Sequence, residues 1–133
     1  MDINWKTVPQ PETWNIDPSG QFFHYCDNET IQGVEYNDFP YENVPENMTI
    51  VADMSSNIAT KKLNWDRLGV VYAGASKNLG PAGATIVIIR KDLIPGHMKQ
   101  TPILCDWDLF SNAQNTFLNT PPCWTIYMCG LNV

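Results

Sequence analysis

Three short apolar segments constrain the fold of this chain more than any other feature of its sequence. They cover residues 49–52, 69–72 and 85–90, and the last of them is rich in β-branched side chains. Uninterrupted apolar runs of this length are typical of parallel strands buried on both faces, and β-branched residues favour strands. Residues 21–26 form a fourth candidate strand. The sequence therefore predicts an α/β fold built on a mostly parallel sheet.

The segments between and after these strands predict loops and few helices. Residues 44–47 form a polar connection that contains a proline, and residues 61–68 fit either a short helix or a turn. A polar stretch follows the last of the predicted strands and ends near Asn115. From Pro121 onward, the pattern predicts a helix.

Composition and charge exclude several classes of protein. The 133 residues suit one domain, and a hydrophobic content of 44% is too high for a disordered chain. A formal net charge of -6 without a run of Lys or Arg argues against a nucleic-acid partner. The longest apolar strand, residues 86–89, is far too short to cross a membrane, and no secretion signal is expected from the start of the sequence.

The cysteines and histidines predict neither a disulfide framework nor a metal site. The four cysteines are scattered without a C-x-x-C pair, which favours free thiols in a cytoplasmic protein (Cys26, Cys105, Cys123 and Cys129). Neither histidine has a partner at catalytic or metal-ligand spacing. We expect His24 to be a strand residue and His97 to lie at the surface.

Lys77 is the most distinctive candidate for chemistry. It follows the apolar run 69–72 and lies among small residues, glycine and proline in residues 72–83. Small neighbours let a flat ring approach the backbone, and glycine permits the turn that would aim the side chain. An uncharged amine forms a Schiff base, and burial at such a position would lower the pKa of a lysine. The setting suits a lysine that binds a flat cofactor covalently; a loop lysine that reaches water is the structural alternative.

Asp53 is the second candidate, because it ends the apolar run of residues 48–53. Open α/β sheets bind ligands at the carboxyl ends of their strands. A carboxylate there could pair with the ring nitrogen of pyridoxal 5'-phosphate (PLP) and keep that nitrogen protonated. Taken alone, Asp53 would equally suit the cap of a helix. An aspartate followed by a lysine at the ends of successive strands is typical of aminotransferase-like PLP folds.

Three longer segments carry a resemblance to a known family. The first is residues 24–35, which contain Asn28-Glu29-Thr30. The second is residues 51–57, which lead into the Lys77 segment and residues 85–90. The third is residues 119–123. In order and spacing they resemble the phosphoserine aminotransferases, which are PLP enzymes of serine biosynthesis within class V of the aminotransferases. Residues 11–15 also resemble the lead-in of eukaryotic members, so the resemblance covers nearly the whole chain.

The resemblance implies a role for each of five residues. Lys77 would bind PLP as a Schiff base and then move the proton between the substrate carbon and the cofactor. Asp53 would pair with the pyridine nitrogen, and Thr30 would hydrogen-bond the phenolic oxygen of the ring. Asn119 and Thr120 would reach the cofactor phosphate of the partner subunit, which implies a homodimer with a shared active site.

Ser76 departs from the family pattern, because most relatives have glutamine before the lysine. Its shorter hydroxyl could contact the cofactor directly or through a water.

Two of the implied site residues also fit structural roles: Thr30 could belong to a polar turn, and Thr120 could cap a helix whose first turn holds Pro121. Such a helix start could still bind a phosphate.

The resemblance also implies that residues 1–133 are the central part of a PLP-binding large domain. A glycine-rich phosphate loop would precede them and a small domain would follow them. Neither Arg67 nor Arg90 matches the arginine that would bind a substrate carboxylate. The implied reaction is transamination between phosphoserine/2-oxoglutarate and 3-phosphooxypyruvate/glutamate, with small amino and oxo acids as substrates. We expect that this chain does not catalyse it alone.

Two other interpretations remain open. One is a different PLP enzyme of the same fold, such as a relative of serine–glyoxylate aminotransferase or of cysteine desulfurase. The other is a truncated, non-catalytic α/β module that folds only with a partner. The apolar residues 122–133, which end without a cap or a charged tail, favour this second alternative.

Overall fold

A four-stranded sheet forms the centre of the chain. The computed structural model describes residues 6–112 and 117–133. Its strands, in chain order, are β1 (Phe22–Cys26), β2 (Asn28–Glu29), β3 (Val34–Glu35), β4 (Thr49–Asp53), β5 (Leu68–Gly74) and β6 (Thr85–Ile89). The central sheet has the order β1-β4-β5-β6, and β2 and β3 form a separate hairpin. All the strands predicted from the apolar runs are present.

Pairing in the central sheet is mostly parallel, as predicted. β1 pairs with β4 and β4 pairs with β5 in parallel, whereas β6 runs antiparallel to β5. The connection between β5 and β6 is too short for the crossover that a parallel pair needs, so β6 returns alongside β5. A hydrogen bond from Ala75 N to Ala84 O (2.9 Å) continues this pairing just beyond the two strands.

The two faces of the sheet differ in burial. Alternate side chains of a strand point to opposite faces, and one set is buried almost completely (Tyr25, Ile50, Ala52, Val71 and Ala73). The opposite set is half-buried or exposed and includes the polar residues His24, Asp53 and Tyr72. The burial on both faces that the apolar runs suggest is therefore not observed. The polar face is the one that a ligand can approach.

An aromatic cluster packs on the buried face of the sheet. Phe39 stacks on Tyr25 with the ring centroids 3.7 Å apart, and Phe39 is only 6% exposed. More rings surround Phe39 at centroid distances between 5.1 and 6.1 Å (Trp14, Phe23, Tyr36 and Tyr41). Because aromatic rings bury large apolar areas, this cluster holds the segments before β1 and after β3 against the sheet.

Gly69 permits an irregularity where β4 and β5 pair. Ile50 is opposite Leu68 and Val51 is opposite Val70, so Gly69 is an extra residue in β5. A Cβ atom at Gly69 would lie 2.2 Å from Thr49 Cγ2 and 2.9 Å from Leu93 Cδ1. This close approach explains why a glycine stands inside a buried strand.

In the part of the chain that the structure describes, two α-helices follow the sheet in sequence. α1 (Trp107–Asn112) lies in the stretch that the sequence predicts to be a polar connection, and α2 (Cys123–Gly130) confirms the predicted C-terminal helix. Asn115, near which the polar connection was expected to end, lies outside the described residues. Residues 61–68 contain a turn that leads into β5 and not a helix.

The helix α2 begins later than predicted, at Cys123. Its N-cap position is Pro122, and no side chain caps it, so the predicted capping role of Thr120 is wrong. A proline disfavours the helical conformation of the residue before it, which keeps Pro121 outside the first turn. α2 has 8 residues, and no helix of the described ranges is long and apolar enough to cross a bilayer.

α2 packs against the connection between β5 and β6, residues 75–84, which we call the lysine loop. Thr125 Oγ1 donates to Ala82 O (3.0 Å), and Asn132 Nδ2, just beyond the helix, donates to Leu79 O (2.7 Å). Cys129 lies beside the loop glycine at position 80, where a Cβ atom would be 3.0 Å from the Cys129 sulfur. The C-terminal helix therefore supports the segment that carries Lys77.

Candidate active site

Three strand ends meet at one edge of the central sheet and define the candidate site. Because β1, β4 and β5 are parallel, their carboxyl ends at Cys26, Asp53 and Gly74 lie at the same edge. The segments that follow β1 and β5 carry Thr30 and Lys77. Open α/β sheets bind ligands outside this edge.

Lys77 and Thr30 are in direct contact. Lys77 Nζ donates to Thr30 Oγ1 at 2.7 Å, although the two residues come from different loops. The lysine loop is tied down beside them by Asn78, whose side-chain amide donates to Ile58 O (2.6 Å). The Lys77 side chain is exposed, so the burial expected from the sequence is wrong for this chain.

Thr30 is presented by a polar turn between β2 and β3. The Glu29 carboxylate accepts from Ile31 N (3.1 Å) and Gln32 N (2.6 Å), and the Glu29 carbonyl accepts from Gly33 N (3.0 Å). Gly33 has a φ of 68°, a left-handed value that favours glycine. Thr30 therefore does lie in a polar turn, and that turn also brings its hydroxyl to the site.

A polar cluster, with Asp27 and Asn57 buried, anchors this hairpin to the turn that follows β4. It consists of Asp27, Glu35, Asn57 and Lys61, and we call it the Asp27 cluster. Lys61 Nζ lies 2.6 Å from Asp27 Oδ2, and the Asp27 side chain is 1% exposed. Asn57 Nδ2 donates to Asp27 Oδ2 (2.5 Å) and to Glu35 Oε1 (2.7 Å). Sequence reasoning missed this cluster, because its members are separated along the chain and follow no local pattern.

Asp53 is half-buried and accepts several hydrogen bonds. Ser55 donates to Asp53 Oδ1 from its backbone nitrogen (2.9 Å) and from its hydroxyl (2.6 Å). Tyr72 is opposite Asp53 in the sheet register, so its side chain lies on the same face. Burial opposes ionisation, but the hydrogen bonds from Ser55, together with the nearby Tyr72 hydroxyl and His24, outweigh it and lower the pKa of Asp53. A turn and not a helix follows Asp53, so its alternative role as a helix cap is wrong.

His24 and Tyr72 are site residues that sequence reasoning missed. His24 Nε2 and Tyr72 Oη are 2.9 Å apart, and the two rings are stacked with centroids 6.0 Å apart. His24 is a strand residue, as expected, but it does have a polar partner. The usable signal was the register of the strands, which puts Cys26, Asp53 and Tyr72 opposite one another. His24 is two residues before Cys26 in the same strand, so it shares their face.

Cys26 lies directly opposite Asp53 in the sheet register. Its thiol donates to Asn28 O at 3.3 Å. Burial and the neighbouring Asp53 charge raise the pKa of the Cys26 thiol above its ordinary value, against a smaller opposing effect of Lys77. The thiol is therefore held in its neutral form beside the Asp53 carboxylate.

The remaining residues of the predicted site are exposed and separate from this network. Ser76 lies exposed beside Lys77, and Asn119 and Thr120 lie on the exposed segment that leads into α2. The Asn119 amide points to the Thr120 carbonyl at 3.4 Å. Within residues 6–112 and 117–133, no hydrogen bond connects Asn119 or Thr120 to Lys77.

Comparison of the sequence with known proteins gives a consistent result. Residues 1–133 match the family described as Aminotransferase class-V. The chain is 46% identical over 127 residues to the phosphoserine aminotransferase of Drosophila melanogaster, and the match covers 96% of this chain and 34% of that relative. The chain therefore spans about a third of the length of the curated relatives that it matches.

Comparison with solved structures confirms the predicted fold class. A phosphoserine aminotransferase from Bacillus circulans subsp. alkalophilus superposes with a TM-score of 0.84 at 36% identity, over 95% of this chain and 34% of that one. A PLP-bound phosphoserine aminotransferase from Trichomonas vaginalis superposes with a TM-score of 0.81 at 40% identity, over 95% of this chain and 36% of that one.

Proposed function

This chain belongs to the class-V aminotransferase family, and from that membership we propose that it forms the central part of a PLP-binding large domain. The complete protein would carry out transamination between phosphoserine/2-oxoglutarate and 3-phosphooxypyruvate/glutamate in L-serine biosynthesis. The observation that carries this proposal is the 2.7 Å contact between Lys77 Nζ and Thr30 Oγ1 at the sheet edge where Asp53 ends β4. The high identity to phosphoserine aminotransferases favours this reaction over those of other class-V enzymes.

The residues at the sheet edge fit the functional groups of PLP. Lys77 Nζ is exposed and is the amine that would hold the aldehyde carbon of the cofactor. Thr30 Oγ1 is close enough to Lys77 to hydrogen-bond the phenolic oxygen beside that aldehyde. The Asp53 carboxylate, ionised at neutral pH, is the acceptor that a protonated pyridine nitrogen requires. When bound, PLP supplies an electron sink for a substrate carbanion.

Each of these side chains has a defined task in the proposed reaction. The Asp53 carboxylate keeps the proton on the ring nitrogen, and its lowered pKa leaves it charged across the physiological range. Thr30 orients the ring through its hydroxyl. Lys77 Nζ would take up and return the proton at the substrate carbon. We also propose Ser76, Asn119 and Thr120 as contacts of the cofactor phosphate, the last two in the partner subunit of a homodimer.

We propose that this chain alone does not complete the reaction, because neither of its arginines is available for a substrate carboxylate. Arg67 donates to Val44 O at 2.9 Å. Arg90 Nε donates to Asp92 Oδ1 at 2.6 Å, and its second nitrogen donates to Asp92 Oδ2 at 3.0 Å. Both guanidinium groups therefore already serve local structure.

Titration of the purified chain with PLP, followed by borohydride reduction and peptide mass mapping, tests the proposed cofactor site. We expect a pyridoxyl adduct on Lys77 that is absent in Lys77→Ala. Lys91→Ala is the matched control, because it removes an exposed lysine that lies after β6. An adduct spread evenly over the lysines, or no adduct at all, would contradict the proposal.

The partner and the location are further parts of the proposal. The exposed segment of Asn119 and Thr120 adjoins α2, where Trp124 is 68% and Tyr127 is 60% exposed, which supports a subunit contact at this end of the chain. Light scattering during gel filtration, with the chain alone and mixed with a full-length relative, separates a homodimer from a module that folds only with a partner. The four cysteines are free, which supports the cytoplasm as the proposed location.

A further inference from the structure

Two side chains from strands that are not neighbours meet beside Asp53. His24 belongs to β1 and Tyr72 belongs to β5, and β4 lies between those strands. In the register of the sheet, Tyr72 is opposite Asp53 and His24 is opposite Val51. The His24 and Tyr72 rings therefore meet above Val51 on the polar face of the sheet, next to the Asp53 carboxylate.

The chemistry of the three groups fixes the direction of their hydrogen bonds. Tyr72 is opposite Asp53 in the sheet register, and an ionised carboxylate only accepts, so a hydrogen bond between these two neighbours uses the one proton of the Tyr72 hydroxyl. The Tyr72 oxygen can then only accept in its 2.9 Å contact with His24, so His24 Nε2 carries a proton and donates. The result is a directed chain from His24 through Tyr72 to Asp53.

Among the groups around Asp53, Ser55 and the pair of Tyr72 and His24 are its main supports. Ser55 occupies Asp53 Oδ1 with two hydrogen bonds of 2.6 and 2.9 Å. The titratable side chains that face Asp53 are His24 and Cys26 from β1 and Tyr72 from β5, and Lys77 acts on Cys26 from the lysine loop. Among these neighbours, Tyr72 carries a hydroxyl on the adjacent strand β5 directly opposite Asp53, where it can donate to the carboxylate.

We propose that Tyr72 and His24 are positioning residues for Asp53, which hold its carboxylate in place and keep it ionised for a protonated ring nitrogen. Tyr72 acts directly on Asp53, and His24 acts through Tyr72. This inference rests on the proposed function for the identity of the ring that Asp53 meets. The hydrogen bonds among these three residues do not require a cofactor, so they can be tested in the cofactor-free protein.

Titration of Asp53 in the cofactor-free chain is the first arm of the test. The chain is labelled with ¹³C-aspartate, and the Asp53 carboxyl signal is assigned with Asp53→Asn. Tyr72→Phe keeps the ring and removes the hydroxyl, so we expect the pKa of Asp53 to rise towards the ordinary aspartate value. Tyr127→Phe, which removes an exposed hydroxyl on α2, is the matched control and should change nothing. An unchanged Asp53 titration in Tyr72→Phe would overturn the proposal.

PLP affinity in a double-mutant cycle is the second arm. At pH 8, we expect Tyr72→Phe to weaken PLP binding by about threefold to tenfold, as for the loss of a typical intramolecular hydrogen bond, and His24→Gln to weaken it less. The double variant should bind like Tyr72→Phe, because the proposed route from His24 to Asp53 runs through the Tyr72 hydroxyl. His97→Gln controls for loss of an exposed imidazole. Additive losses would contradict a relay through Tyr72 and would indicate two independent packing effects.

The two arms separate the inference from the proposed function. If PLP forms no adduct with the unaltered chain while Tyr72→Phe raises the pKa of Asp53, the proposed function fails and the hydrogen-bond chain stands. If PLP binds at Lys77 but Tyr72→Phe changes neither the Asp53 titration nor the affinity, the proposed function stands and the positioning role fails. Circular dichroism of each variant verifies that the fold is retained.

Discussion

At the scale of single residues, Asp53 shows how a carboxylate is prepared by its neighbours. Its half-buried position alone would make ionisation harder, yet three donating or charged neighbours reverse that effect. Two of them are contributed by other strands, β1 and β5. The lowered pKa of Asp53 is therefore a property of the assembled sheet, and the pKa returns to its ordinary value when the sheet unfolds.

This dependence predicts how stability changes with pH. Because the pKa of Asp53 is lower in the folded chain than in the unfolded one, Asp53 stabilises the fold above its ordinary pKa, about 3.9. That contribution is lost as the pH falls through the lower pKa that Asp53 has in the folded chain. Urea unfolding should therefore show that Asp53→Asn costs stability at pH 7 and has little effect at pH 2.

Asp38→Asn provides the control, because it makes the same change of charge at an exposed position. Its effect on the urea midpoint should stay small at both pH values. A cost of Asp53→Asn that is equal at pH 7 and pH 2 would show that the carboxylate charge does not matter to the fold.

At the scale of elements, the contact between β4 and β5 depends on the absence of a side chain at Gly69. Gly69→Ala would place a methyl group 2.2 Å from Thr49 Cγ2. Because Thr49 belongs to the paired strand β4, its side chain cannot easily move away. We expect a loss of about 1 to 3 kcal/mol in the free energy of unfolding, as for other overpacked sites. Chemical denaturation measures it.

Two further variants make the reason for this loss testable. Gly74→Ala adds the same methyl group at the end of β5, where nothing lies within 4 Å, and should cost much less. Thr49→Ser removes the obstructing methyl group, so combining it with Gly69→Ala should recover part of the stability. A double variant as unstable as the sum of both single variants would rule out this contact as the cause.

The elements also show which parts of the fold can be predicted from a sequence. The apolar runs identify β1, β4, β5 and β6 because side-chain burial leaves a local signature. The short helix α1 leaves no such signature, since none of its residues is buried. Lys77, Asp53 and Thr30 could be predicted from motifs, whereas His24 and Tyr72 required the sheet register. The Asp27 cluster could not be predicted, because it depends on contacts between distant segments.

At the scale of the whole molecule, the Asp27 cluster joins three segments on which the site depends. It connects the end of β1, the hairpin that carries Thr30, and the turn that follows Asp53. Lys61→Met keeps the length of the side chain but leaves Asp27 buried without its cation. Because Asn57 still donates to Asp27 and Lys61 is 20% exposed, we expect a loss of about 2 to 3 kcal/mol, below that of fully buried pairs.

The adjacent Lys62 supplies the control for this prediction. Lys62→Met removes an exposed charge one position away and should leave the urea midpoint nearly unchanged. Equal midpoints for Lys61→Met and Lys62→Met would mean that the ion pair does not hold the hairpin in place.

The support of the lysine loop by α2 has a consequence for the order in which the molecule is made. The loop is held by Thr125 and Asn132, which the ribosome adds long after Lys77. Because a domain generally folds as a unit, the loop can take its final position only after those two residues have left the ribosome. Lys77 thus acquires its final setting only once α2 has been made.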